Sequence, residues 1–223
     1  MPKAKEILKR PVSIIIISSI LVFFSNVPAF ILLHKGLFTQ DSLLFSLVIS
    51  LSAFIIMFVL PVLIIKFIFK EKLENFGLFL PKQFGQSSKL IAISLLIFLP
   101  IIFFLGSFSN FQQYYLIKQN LGGLFFLEVA ASCLYFFSEE FIFRGFLFFG
   151  LWNKLGFHTF WVSSLIFALF HLGKPSGEVF FAFFAGLALS FLSYKTKSFI
   201  PAAVVHSILA FILNVIIFFH VVL

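Results

Sequence analysis

Seven apolar stretches, at about residues 12–33, 43–69, 88–108, 121–151, 157–172, 178–194 and 199–222, leave this 223-residue chain few ways to fold. Roughly 17 to 25 apolar residues cross the ~30 Å hydrocarbon core of a bilayer as an α-helix. No water is available there to bond the backbone, so each segment must satisfy its own N–H and C=O groups. The expected fold is therefore all-α, a polytopic membrane helical bundle of seven transmembrane helices, or eight if the fourth stretch is split. At 1.5 Å per residue that fourth stretch would be about 45 Å long. It is expected to tilt, kink or split near Phe137 and Ser138. The longest polar stretch lies around residues 70–87, which leaves no room for a soluble domain. Composition agrees, since 61% of residues are hydrophobic and 11% charged, against about a quarter charged in soluble domains.

The cations give an orientation. Lys3, Lys5, Lys9 and Arg10 precede the first span, Lys66, Lys70, Lys72, Lys82 and Lys89 surround the second connection, and Lys154, Lys195 and Lys197 follow the fourth and sixth spans. With seven spans these fall on one side, and Lys35, Lys118 and Lys174 on the other. The positive-inside rule then puts the N-terminus in the cytoplasm. The net charge of +8 follows from topology, and cations spread over loops do not make a nucleic-acid surface. Near the N-terminus, Val27, Pro28 and Ala29 resemble a signal-peptide cleavage site, but apolar sequence runs on to Leu33, which favours an uncleaved span. The lone Cys133 excludes an internal disulfide and a multi-cysteine metal site. The 39 phenylalanines are read as lipid-facing bulk.

Inside the fourth stretch stand Glu139, Glu140 and Arg144. A charge at membrane depth costs about 2.5 to 3.5 kcal/mol on insertion scales, so it persists where it is paired or functional. Arg144 follows Glu140 at the four-residue spacing that brings helical side chains together. That leaves Glu139 without a partner in its own helix, an unbalanced carboxylate in low dielectric of the kind that serves as a general base. Two histidines, His171 and His206, also lie in apolar helices, whereas His34, His158 and His220 lie in loops or at helix ends. Counting 1.5 Å per residue puts Glu139 and His171 both about 20 Å from the cytoplasmic side and His206 about 11 Å from it. A carboxylate and an imidazole at one level can hold a water between them.

These residues fit three motifs in order: Glu-Glu-x-x-x-Arg at Glu139, Glu140 and Arg144; Phe-x-x-x-His at Phe167 and His171; and the histidine of His-x-x-x-Asn at His206. The pattern resembles the CPBP family of intramembrane proteases, which includes CAAX prenyl endopeptidases and bacteriocin-immunity proteins. The resemblance covers residues 121–222, so a single membrane domain is expected, with N-terminal helices over 1–120 and a catalytic core over 121–222. It implies that Glu139 with His171 activates the attacking water, that Glu140 and Arg144 support the site, and that His206 belongs to the oxyanion hole. The chain departs from the family at Ala210, where the motif has asparagine; Asn214 lies one turn further on. Phe167 and Asn214 are candidates for contact with substrate.

The chemistry favours peptide hydrolysis in a membrane-anchored protein or peptide within the lipid bilayer, with no cofactor. Ser138 and Ser207 adjoin the key residues, but no Gly-x-Ser-x-Gly surrounds them. Two histidines and a glutamate could bind zinc, though His-Glu-x-x-His is absent. A proton-coupled transporter, or an inactive scaffold such as an immunity protein, is the reading from another class. The expected location is a bacterial or archaeal cell membrane.

Overall fold

The computed structural model describes residues 11–37, 39, 42–116 and 125–222, and the described regular structure is helical throughout. The basic residues Lys3, Lys5, Lys9, Arg10 and Lys118, and residues 121–124 of the fourth apolar stretch, lie outside it, as does the side chain of His220. Helices α1 (Pro11–Ser25) and α2 (Val27–His34) form one apolar rod, interrupted at Asn26 just before Pro28. Helix α3 runs over Leu43–Phe69. Ser42 caps it by accepting a bond from the Phe45 N–H at 3.2 Å. Pro61 has no N–H for an interior helical bond, and the wider π turns Phe54–Val59 and Ile64–Phe69 flank it.

The next loop, although polar, is docked rather than free. The 3₁₀ turn Leu73–Phe76 inserts the Phe76 ring against Phe69 and Phe146, with centroids 6.3 and 6.0 Å away. Gly77 turns the chain at φ 72°, where a Cβ would meet the Phe149 ring, and its carbonyl accepts a bond from the Phe199 N–H at 3.3 Å. Beyond it come α4 (Phe84–Gly106), α5 (Ser109–Leu116), α6 (Phe125–Glu140) with its π-helical continuation Phe141–Phe149 and α7 (Gly150–Leu155), then α8 (His158–Phe170), α9 (Ser176–Thr196) and α10 (Ile200–Val222).

Among the described residues, five helices are long and apolar enough to cross a membrane: Pro11–His34, Leu43–Phe69, Phe84–Gly106, Ser176–Thr196 and Ile200–Ile217. The other two expected spans take different forms. The fourth is not split at Phe137 and Ser138; the Ser138 hydroxyl donates to the Leu134 carbonyl at 2.7 Å and the helix runs on. Its departure from α geometry begins at Phe141. Every residue from Ser138 to Phe148 is buried, as expected for a helix with protein on all sides. The fifth stretch yields α8, of 13 residues, about 20 Å long and short of the ~30 Å core. It turns back through His171–Pro175 into α9. Within that turn His171 is buried, whereas Leu172 and Gly173 are exposed.

The phenylalanines divide between two roles. Phe23, Phe67, Phe84 and Phe126 face outward, whereas Phe69, Phe141, Phe143, Phe146, Phe148, Phe167 and Phe199 are fully buried. The reading of phenylalanine as lipid-facing bulk therefore covers only part of the set. The core joins both halves of the chain: Ile14, Val22, Met57, Ile65 and Phe69 share one apolar cluster with Phe141, Phe146, Phe167 and Phe199.

Candidate active site

Glu139 and Glu140 are the last two residues of α6, Arg144 lies one turn into the π segment, and all three are almost wholly excluded from solvent. The Arg144 Nη1–H donates to Glu140 Oε1 at 3.0 Å. Its Nη2–H reaches the Gly186 carbonyl of α9 at 3.5 Å, and the guanidinium carbon lies 4.1 Å from the centroid of the Phe167 ring on α8. One cation therefore ties three helices. Gly186 is where α8 and α9 approach closely, since a Cβ there would stand 2.9 Å from the Ser164 Cα.

His206 donates from Nδ1 to the same Glu140 oxygen at 2.7 Å. The residue count that placed His206 shallower than the carboxylates does not describe this geometry. Such a count assumes parallel helices that start at one level, and α10 brings His206 to Glu140 directly. Glu140 Oε1 thus accepts from both an arginine and a histidine. Glu139 has no such tie, and its Oε1 is buried with no hydrogen-bond partner among the described residues.

His171 ends α8. Its Nδ1 lies 2.8 Å from the Phe167 carbonyl, an acceptor, so Nδ1 carries the hydrogen and Nε2 is the basic nitrogen. The turn is closed by Gly173 at φ 93° and by Pro175, the residue before α9. His171, His206, Phe167, Ala210 and Asn214 all line one cavity of about 940 Å³. Glu128, Ser132 and Tyr135 of α6 line it too. They recur at helical spacing, and Glu139 is the next position on that stripe. The carboxylate stands one turn deeper than the last of them, at 1% exposure.

Ser138 is spent on its own backbone. Among the described residues no three His, Cys, Asp or Glu side chains converge as a metal site. Glu178 was missed by the sequence reading: it lines the cavity, and its Oε1 stands 3.9 Å from His171 Nε2. Its four-residue spacing from Lys174, with which it pairs at 2.8 Å, was the available signal. Its bond to Tyr115, 63 positions away, had none.

Residues 121–212 match the family described as type II CAAX prenyl endopeptidase Rce1-like. No curated protein and no solved structure matches the chain. The matched segment carries Glu139, Glu140, Arg144, His171 and His206, and Asn214 lies just beyond it. The description is that of a CAAX prenyl endopeptidase, so residues 121–212 are similar to a peptide hydrolase, and the long apolar helices support a membrane protein.

Proposed function

We propose that this protein is an endopeptidase in which Glu139 and His171 activate a water to cut a peptide bond in a membrane-anchored protein or peptide. The observation that carries this reading is the division of labour between the two carboxylates. Glu140 is tied through Oε1 to Arg144 and His206, with Oε2 unpartnered among the described residues, while Glu139, one helical turn beyond the cavity-lining Tyr135, has neither tie and a buried, unpartnered Oε1. A buried polar atom with no partner calls for an explanation, such as a catalytic role or an ordered water. Here one water satisfies both. It donates to Glu139 and to the lone pair of His171 Nε2, and its oxygen attacks the scissile carbonyl. The proton passes to Glu139 and from there to the leaving amine.

The oxyanion formed in that attack needs donors. With His206 Nδ1–H committed to Glu140, its Nε2 donates only when the ring is doubly protonated, and Glu140 is then its counter-ion. Ala210 offers no second donor. Losing one such donor typically costs about 10² to 10³ in rate, so catalysis by this chain is expected to be slow.

The test uses the full chain in lipid nanodiscs and an internally quenched prenylated peptide. Glu139→Gln removes the base, keeps its shape, and should abolish cleavage while leaving the protein folded. Wild-type turnover in that variant would overturn the reading. Chelator treatment of the wild type should leave its activity intact, because the reading routes no step through a metal. One zinc per chain, lost together with activity, would replace the glutamate mechanism with the zinc alternative.

A further inference from the structure

Tyr115, Lys174 and Glu178 lie outside the three motifs, yet they converge on one of the motif histidines. Glu178 is the third residue of α9, where the positive end of the helix dipole favours a carboxylate. Both of its oxygens are engaged. Oε2 accepts from the Tyr115 hydroxyl at 2.6 Å and Oε1 from the Lys174 ammonium at 2.8 Å. That same Oε1 faces His171 Nε2 at 3.9 Å. This is too long for a direct hydrogen bond, so Glu178 acts on the ring through its charge and through the Lys174 ammonium that it holds.

The other face of the His171 ring is settled by the Phe167 carbonyl at Nδ1. Glu178 therefore stands opposite the one nitrogen free to bind water. The charged groups around His171 are Lys174 in its own turn, Glu178 on α9, Arg144 on the π segment and His206 on α10. Arg144 and His206 are both held by Glu140. Lys174 is held by Glu178 alone among the described ion pairs. Without Glu178, an uncompensated ammonium would stand beside the ring and compete for the same water.

We propose that Glu178, locked by Tyr115 and Lys174, is a positioning residue for His171: it holds the Lys174 ammonium off Nε2 and so keeps the ring and its lone pair oriented for the water. The proposal rests on the reading of His171 as a water-binding group. Tyr115 belongs to α5, so the lock also makes the geometry of the active site depend on a helix outside the family-matched segment.

The test takes the full chain in nanodiscs with ¹⁵N-labelled histidine, the His171 signals being assigned by their loss in His171→Gln. Wild type should show one neutral tautomer with the hydrogen on Nδ1. Glu178→Gln keeps an acceptor for Tyr115 but removes the charge; it should shift the His171 signals or split them between tautomers. On the quenched prenylated peptide it should lower kcat about ten- to a hundred-fold, the scale for a misplaced catalytic group, with KM little changed. Tyr115→Phe should move both readouts in the same direction by less. Unchanged His171 signals in folded Glu178→Gln would overturn the proposal, as would a loss of kcat accounted for by unfolded protein. Should Glu139→Gln retain activity, the hydrolytic reading falls by itself, and the His171 signals still decide whether Glu178 positions the ring.

Discussion

Glu140 and His206 are 66 positions apart in the chain and share a hydrogen bond of 2.7 Å in the interior of the bundle. Glu140 belongs to α6 and His206 to α10, so the bond closes the site between the segment that supplies the carboxylates and the last helix. Arg144 donates to the same oxygen, and removing the carboxylate would strand two buried donors.

Glu140→Gln is therefore expected to destabilise the protein more than Glu139→Gln does. Breaking a buried ion pair from one side costs about 3 to 5 kcal/mol. Thermal unfolding in detergent of Glu140→Gln, His206→Gln and the double variant measures the coupling. Additive losses would show that the two residues do not act as a unit.

Gly186→Val is expected to separate α8 from α9. Its Cβ would fall 2.9 Å from the backbone of Ser164, a contact that side-chain rotation does not relieve. Overpacking of this kind costs about 1 to 3 kcal/mol. The shift also moves the carbonyl that receives Arg144 Nη2, so activity should fall along with stability. An unchanged melting temperature in the same detergent would contradict the close approach.

Ala210→Asn is expected to raise turnover. Ala210 lines the cavity together with His206, and the amide would supply the oxyanion donor that the sequence lacks. A second donor is worth up to about 10² to 10³ in rate; the gain should appear in kcat on the prenylated peptide with KM nearly constant. Equal or lower kcat in a folded variant would mean that the oxyanion is held from elsewhere.

Orientation is open to labelling in intact cells. Lys35 follows α2, and Lys195 lies in the last turn of α9; the arrangement of cations assigns them to opposite sides. Cysteine at position 35 should react with a membrane-impermeant thiol reagent, and cysteine at position 195 should not. The reverse pattern would put the N-terminus outside and turn the catalytic cavity to the other face.

The parts of the site that were legible in the sequence are those encoded locally. The spacing of Glu140 and Arg144 makes their contact readable, and the lack of a cation at the matching distance from Glu139 left that residue unclaimed. The Ser138 hydroxyl follows the habit of serine in apolar helices. Contacts that depend on how helices cross were hidden: His206 on Glu140, Phe167 beneath the Arg144 guanidinium, and Tyr115 on Glu178. The length of α8 was overread because hydropathy continues through Phe170 to Leu172 while Gly173 and Pro175 end the helix. The stretch around residues 70–87 reads as polar, yet Phe76 within it is buried against Phe69 and Phe146.

The π-helical segment Phe141–Phe149 sets the rotational phase of α7 relative to α6. Each residue of an α-helix advances the side chains by about 100°, and wider i→i+5 turns arise where the chain carries more residues than α geometry holds. Deleting one residue between Gly145 and Phe149 with the wider turns kept would remove one step of that rotation. Composition and hydropathy would hardly change, but α7 would rotate by roughly a quarter turn relative to the two carboxylates. The chain is thus sensitive to the exact length of this stretch as well as to its chemistry, and a variant one residue shorter would keep an ordinary apolar pattern while its side chains stood out of phase with the site.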